Sequence, residues 1–61
     1  MIDRYEIVYD YSNDYTDERG IVEYFDGSHS ELKEYLKQMR RNGCYNISCA
    51  LLYSYTIELA D

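Results

Sequence analysis

A chain of 61 residues has room for one domain with one modest core, since a chain this short buries only about 60% of its extended surface on folding. Twelve acidic against six basic residues leave a formal net charge of −6, a field that disfavours phosphate backbones as partners and favours a basic protein surface. Two cysteines and one histidine are too few for a four-ligand zinc site unless acids or a second chain contribute.

No run of about 18 apolar residues offers a membrane span. The opening "MIDRYEIVYD" is charged from Asp3 onward, unlike a secretory leader, so a reducing cytoplasm with both thiols free is expected. Asn46-Ile47-Ser48 fits a glycosylation pattern, but without a secretory signal it is read as ordinary chain. The charge is unevenly placed. Residues 1–31 hold nine of the acids and only Arg4 and Arg19 as bases, whereas residues 32–61 hold Lys33, Lys37, Arg40 and Arg41 against Glu34, Glu58 and Asp61.

Residues 4–11 alternate, with Tyr5, Ile7, Tyr9 and Tyr11 on one face and Glu6, Val8 and Asp10 on the other, which predicts a strand. Residues 12–19 are polar and break the pattern, so a loop is expected there. A second strand is predicted over 20–25. Its facing is ambiguous, because Ile21 and Phe25 compete with Val22 and Tyr24 for the core. Turning the odd positions inward buries Glu23 at a desolvation cost, so the even register is preferred, with Phe25 left for the turn into the helix.

A helix is predicted over 29–41. Ser28 followed by Glu31 forms a capping box, in which each side chain satisfies the other residue's free backbone N–H. Leu32, Tyr35, Leu36 and Met39 then recur at helical spacing as one apolar stripe. Glu31 in the first turn and Arg40 and Arg41 in the last suit the helix dipole. Asn42-Gly43 is the stop signal.

From Tyr45 to Leu59 every odd-numbered residue is apolar or aromatic. One strand of that length would run roughly 50 Å, more than a chain this small can shelter. A strand is therefore predicted over 45–52, with its core near 49–53 where both faces are apolar. The chain then either bends near 52–54 into a fourth β segment over 54–59 or carries its far end to another partner. The expected fold is a small single-domain α+β arrangement, β-β-α-β with that fourth segment, one helix packed on one face of a mostly antiparallel sheet. Were the strand after the helix to pair parallel with the first, the sheet would be mixed.

Catalytic and metal chemistry find little support. Asp10, Asp14, Asp17 and Glu18 form an acidic patch in the first loop, but the alternate ligands and central glycine of a calcium-binding EF-hand are missing. Cys44 and Cys49 fall on opposite sides of an unbroken strand, and His29 at the exposed first turn lacks an orienting acid. Gly20, Gly27 and Gly43 mark element boundaries and build no phosphate loop. The chain is expected to be non-enzymatic, without cofactor or metal.

Nine tyrosines against one phenylalanine carry the functional expectation. One helical stripe is too small to cover every tyrosine-bearing strand face, and tyrosine supplies large amphipathic contact area at low entropic cost. The predicted interaction surface is Tyr5, Tyr9, Tyr11, Tyr45, Tyr53, Tyr55 and Ile57, with a protein partner or self-association as a homodimer. An accessory or inhibitory role, in which the acidic first half steers a basic partner, fits this size. The alternative is a small nucleic-acid-binding domain contacting phosphates through Lys33, Lys37, Arg40 and Arg41, against which the acidic total weighs.

Overall fold

Three strands and one helix follow the chain in the order β1 (Ile2–Ser12), β2 (Asp17–Gly27), α1 (His29–Arg41) and β3 (Cys44–Tyr55), in a computed structural model whose described residues are 1–57. The elements form an α+β arrangement with one open sheet of strand order β2-β1-β3. Both ladders are antiparallel, which removes the mixed-sheet alternative.

β1 and β2 meet across the turn 13–16. The Asn13 side-chain oxygen accepts from the backbone N–H groups of Tyr15 and Thr16, each at 2.8 Å, and the Asn13 N–H donates to the Thr16 carbonyl at 2.9 Å. An asparagine closing its own turn in this way lets β2 begin at Asp17. The stretch 12–19, expected as loop, is therefore a turn at 13–16 only, with Ser12 ending β1 and 17–19 opening β2. The ladder shifts register between Tyr9 and Tyr11. Gly20 sits at this bulge with φ +68°, a conformation glycine adopts without strain, and its N–H donates to Asp10 Oδ1 at 2.9 Å.

Tyr5 and Ile7 of β1 are buried with Leu32 and Met39 of α1, and Tyr9, Phe25, Tyr35, Leu36, Cys44 and Ile47 pack around them. β2 corrects the expected facing. Its odd positions Ile21, Glu23 and Phe25 are half-buried, whereas Val22 and Tyr24 are 52% and 57% exposed. The desolvation argument against Glu23 fails because its carboxylate is satisfied: the Tyr9 hydroxyl donates to Oε2 at 3.0 Å and the Tyr35 hydroxyl donates to Oε1. A buried polar group with its partners made costs little. Phe25, expected in the turn, instead stacks on Tyr35 with ring centroids 5.0 Å apart.

α1 has the predicted bounds and the predicted cap. Ser28 Oγ accepts from the Glu31 N–H at 3.2 Å, and Glu31 Oε1 accepts from the Ser28 N–H at 3.1 Å. After Asn42, Gly43 turns the chain with φ +99°, where an added Cβ would meet the Ser12 carbonyl oxygen at 3.0 Å. The helix starts where β2 ends and finishes where β3 starts, so it crosses the sheet obliquely and touches both flanking strands.

β3 differs most from expectation. It runs unbroken for 12 residues, and the predicted bend near 52–54 is replaced by a register shift within the strand. Thr56 and Ile57 lie outside any strand. Among the described residues there is no fourth strand, and Glu58 and Leu59 of the expected 54–59 segment lie outside them. The predicted core at 49–53 is also corrected: Leu51, Leu52 and Tyr53 are 57%, 45% and 50% exposed. The oblique helix shelters the beginning of β3, where Cys44 and Ile47 are half-buried, and leaves this later part bare.

Candidate interaction surface

Side chains of residues paired across a ladder share a face of the sheet. Tyr5 opposes Leu51 and Ile7 opposes Cys49, all on the face that carries the helix. Beyond the two register shifts, Arg4 opposes Tyr53, Ile2 opposes Tyr55 and Asp10 opposes Tyr45, on the outer face. An extra residue in a strand reverses the facing of all that follows. The alternating run of the tail is thereby split between two faces, and its odd-numbered residues do not form one stripe.

The predicted tyrosine surface divides accordingly. Tyr5 is only 6% exposed and belongs to the core, and Tyr9 packs beside it. Tyr11 is half-buried on the same face, its hydroxyl accepting from Asn13 Nδ2 at 2.8 Å. Tyr45, Tyr53 and Tyr55 share the outer face, Tyr45 opposite Asp10 at one end and Tyr53 and Tyr55 opposite Arg4 and Ile2 at the other, and exposed Ile57 follows the end of β3. Val22 and Tyr24 join the outer face. The sequence reading missed them because it turned β2 over, and no local signal distinguished the two registers.

One end of the outer face is an ordered polar network. Arg4 binds both carboxylate oxygens of Asp26, at 2.7 Å and 2.9 Å. Its remaining nitrogen donates to the Tyr53 hydroxyl at 3.1 Å, and the Tyr55 hydroxyl donates to Asp26 Oδ2 at 3.0 Å. The guanidinium carbon lies 5.8 Å from the Tyr53 ring centroid, and the two tyrosine rings are 6.0 Å apart. The hydrogen bond from Arg4 holds the Asp26 carboxyl below its usual 3.8. Burial, then the bond to Asp26, raises the Tyr55 hydroxyl. With its charges matched internally, the cluster presents aromatic surface more than free charge.

The predicted acidic patch is spread out. Asp10 accepts from Asn46 Nδ2 at 3.0 Å and from the Gly20 N–H, which together lower its pKa. Asp17 accepts from the Tyr45 hydroxyl at 3.3 Å and lies 3.7 Å from Arg19, while Asp14 and Glu18 are exposed. Among the described residues no three His, Cys, Asp or Glu side chains gather as a metal site. Lys33, Lys37, Arg40 and Arg41 are all exposed on α1, and Lys37 is paired with Glu34 at 3.1 Å. No helix among the described residues is long and apolar enough to cross a membrane.

The two edges of the sheet contrast sharply. β2 at one edge carries Asp17, Glu18, Arg19, Glu23 and Asp26 and a glycine bulge, features that discourage strand addition. β3 at the other, "CYNISCALLYSY", carries no charged residue and no proline. Its only ladder among the described residues is the one to β1. Compared with known protein families, curated proteins and solved structures, the chain matches none of them.

Proposed function

We propose that this chain is a non-catalytic protein-interaction module whose docking element is the free edge of β3, flanked by Tyr45, Tyr53, Tyr55 and Ile57. One observation carries the reading: a 12-residue edge strand without a charge or a proline. Open backbone N–H and C=O groups along such a strand accept another strand by main-chain hydrogen bonding. Exposed tyrosine and leucine side chains on both sides of it then add apolar burial. The excess of acids in residues 1–31 speeds the approach of a basic partner and, for an acidic one, adds a long-range repulsion that salt screens.

The test is site-specific photo-crosslinking in concentrated cell extract. A photoreactive residue at Ser48, on the β3 edge, is compared with one at Asp14, in the first turn. The expected result is a discrete protein adduct at Ser48, whether with a second copy or another protein, and none at Asp14. Absence of any adduct at Ser48 would remove the proposal.

A further inference from the structure

Building on the docking role of the β3 edge, we infer that its occupant is a second copy of this chain, paired antiparallel about a two-fold axis passing through Cys49. Two three-stranded sheets then join as one continuous sheet of six.

The placement of the irregularities selects the axis. Within β3 the regular ladder covers Ser48, Cys49, Ala50 and Leu51. Toward the start of the strand it gives way to Ile47 and Asn46, neither opposed by a residue of β1 and Asn46 with φ 51°, and toward its end to Leu52, likewise unopposed. Asn46 and Leu52 stand equally far from Cys49. An antiparallel pair centred there keeps the regular segments together and sets the bulges toward the two ends. Ile47 then opposes the partner's Leu51, Ser48 opposes the partner's Ala50, and Tyr45 opposes the partner's Tyr53. Each is an apolar, small or aromatic pair of the kind that stabilises adjacent strands.

The oblique helix supplies the complementary shape. It covers the first half of β3, where Ile47 is half-buried, and leaves Leu51 exposed at 57%. A two-fold axis perpendicular to the sheet places both helices on the same side. It also brings the helix-covered half of each strand beside the bare half of the other. The bare corner of one copy is thus filled by the covered corner of its partner, as a self-complementary two-fold interface requires.

The lack of charge along the edge and the size of the core agree. No charged residue of β3 would meet its own counterpart, so no like-charge pair opposes assembly at the edge itself. Among the described residues of one copy only four hydrophobic residues are buried, a small core with neither disulfide nor metal cluster beside it. Association is the remaining way to extend it.

Sedimentation of the purified chain across the micromolar range, with diamide oxidation of the Cys44→Ser variant, tests the proposal. Facing Cα atoms in an antiparallel pair lie about 4.5 or 5.5 Å apart, and both spacings suit a disulfide. The expected results are a dimer mass, rapid covalent dimer formation through Cys49, and a dimer weakened by about tenfold or more in Leu51→Lys, where an ammonium would be buried unpaired. Unchanged circular dichroism of that variant is expected to show that the single chain still folds. A monomer throughout the range, or Cys49 coupling no faster than in the Leu51→Lys background, would overturn the two-fold pairing. An adduct at Ser48 with a different protein, and none with the chain itself, would overturn it too while leaving the docking role of β3 intact.

Discussion

Tyr9 on the central strand and Tyr35 on the helix donate their hydroxyls to opposite oxygens of a single carboxylate, that of Glu23. This three-part bridge joins β1, β2 and α1 at the margin of the core. It also makes the fold sensitive to alkali. Burial, then the bond to Glu23, pushes the Tyr9 hydroxyl up to about 12. For Tyr35 the bond to Glu23 comes first and burial second, again reaching about 12.

Both values exceed the 10.0 of an unperturbed tyrosine. The stability they contribute is therefore fully present below pH 10 and lost as pH rises through about 12. Denaturant melts should show stability falling across that window, with tyrosinate absorbance rising in step. Tyr35→Phe keeps the ring stack on Phe25 but removes the bond, and should cost about 1–2 kcal/mol at neutral pH. It should also flatten the alkaline decline.

Asn46 holds a left-handed backbone conformation at φ 51° and uses its side chain to reach Asp10 Oδ2 at 3.0 Å. Asparagine is one of the few residues that tolerate this region, and a β-branched residue there is strained by about 1–2 kcal/mol. Asn46→Val should lower stability by at least that amount in urea melts, while Asn46→Gly should lose less because it keeps the backbone conformation. If the bulge positions the docking edge, Asn46→Val should also weaken association more than its effect on stability explains.

How much of this was legible in the chain differs by element. The signals for α1 are local: Ser28, Glu31, the stripe from Leu32 to Met39 and the Asn42-Gly43 stop all lie within or beside the helix they define, and its bounds were read correctly. The facing of β2 depended on Glu23, whose partners lie 14 and 12 residues away. A rule that charges are expensive to bury pointed the wrong way because it could not see the two tyrosines that satisfy this one. The alternation in β3 was real, but its assignment to one face assumed an unbroken ladder. Bulges are defined by the spacing of the partner strand, and nothing within "CYNISCALLYSY" sets that spacing apart from Asn46. The openness of the edge needed the strand order, although the absence of charge along it was visible from the outset.

Arg4 and Asp26 offer an acid counterpart to the tyrosine bridge. The Asp26 carboxyl is depressed, first by its hydrogen bond from Arg4. What it contributes to stability is thus present above its ordinary 3.8 and lost as pH falls through the lower folded value. Carboxyl resonances followed by NMR should place Asp26 below 3.8, and Arg4→Met should return it toward that value. The pair is partly solvent-exposed, at 39% and 34%, so its effect on the melting point should be small and should shrink further in salt.

Salt separates the two kinds of partner considered for this chain. Each copy carries a formal −6, so two copies repel at long range, yet the strands proposed to join them are uncharged. Adding salt screens the repulsion and leaves the main-chain bonds and apolar contacts of the edge intact, so the dimer should tighten as ionic strength rises. A complex of Lys33, Lys37, Arg40 and Arg41 with nucleic acid should behave in the opposite way, because salt reverses the counterion release that drives it. Sedimentation with and without a short single-stranded DNA, at low and at moderate salt, distinguishes them. Self-association that strengthens with salt, with no DNA bound even at low salt, is the expected outcome. DNA binding at low salt that fades as salt is added would shift the assignment from the β3 edge to the basic side of α1.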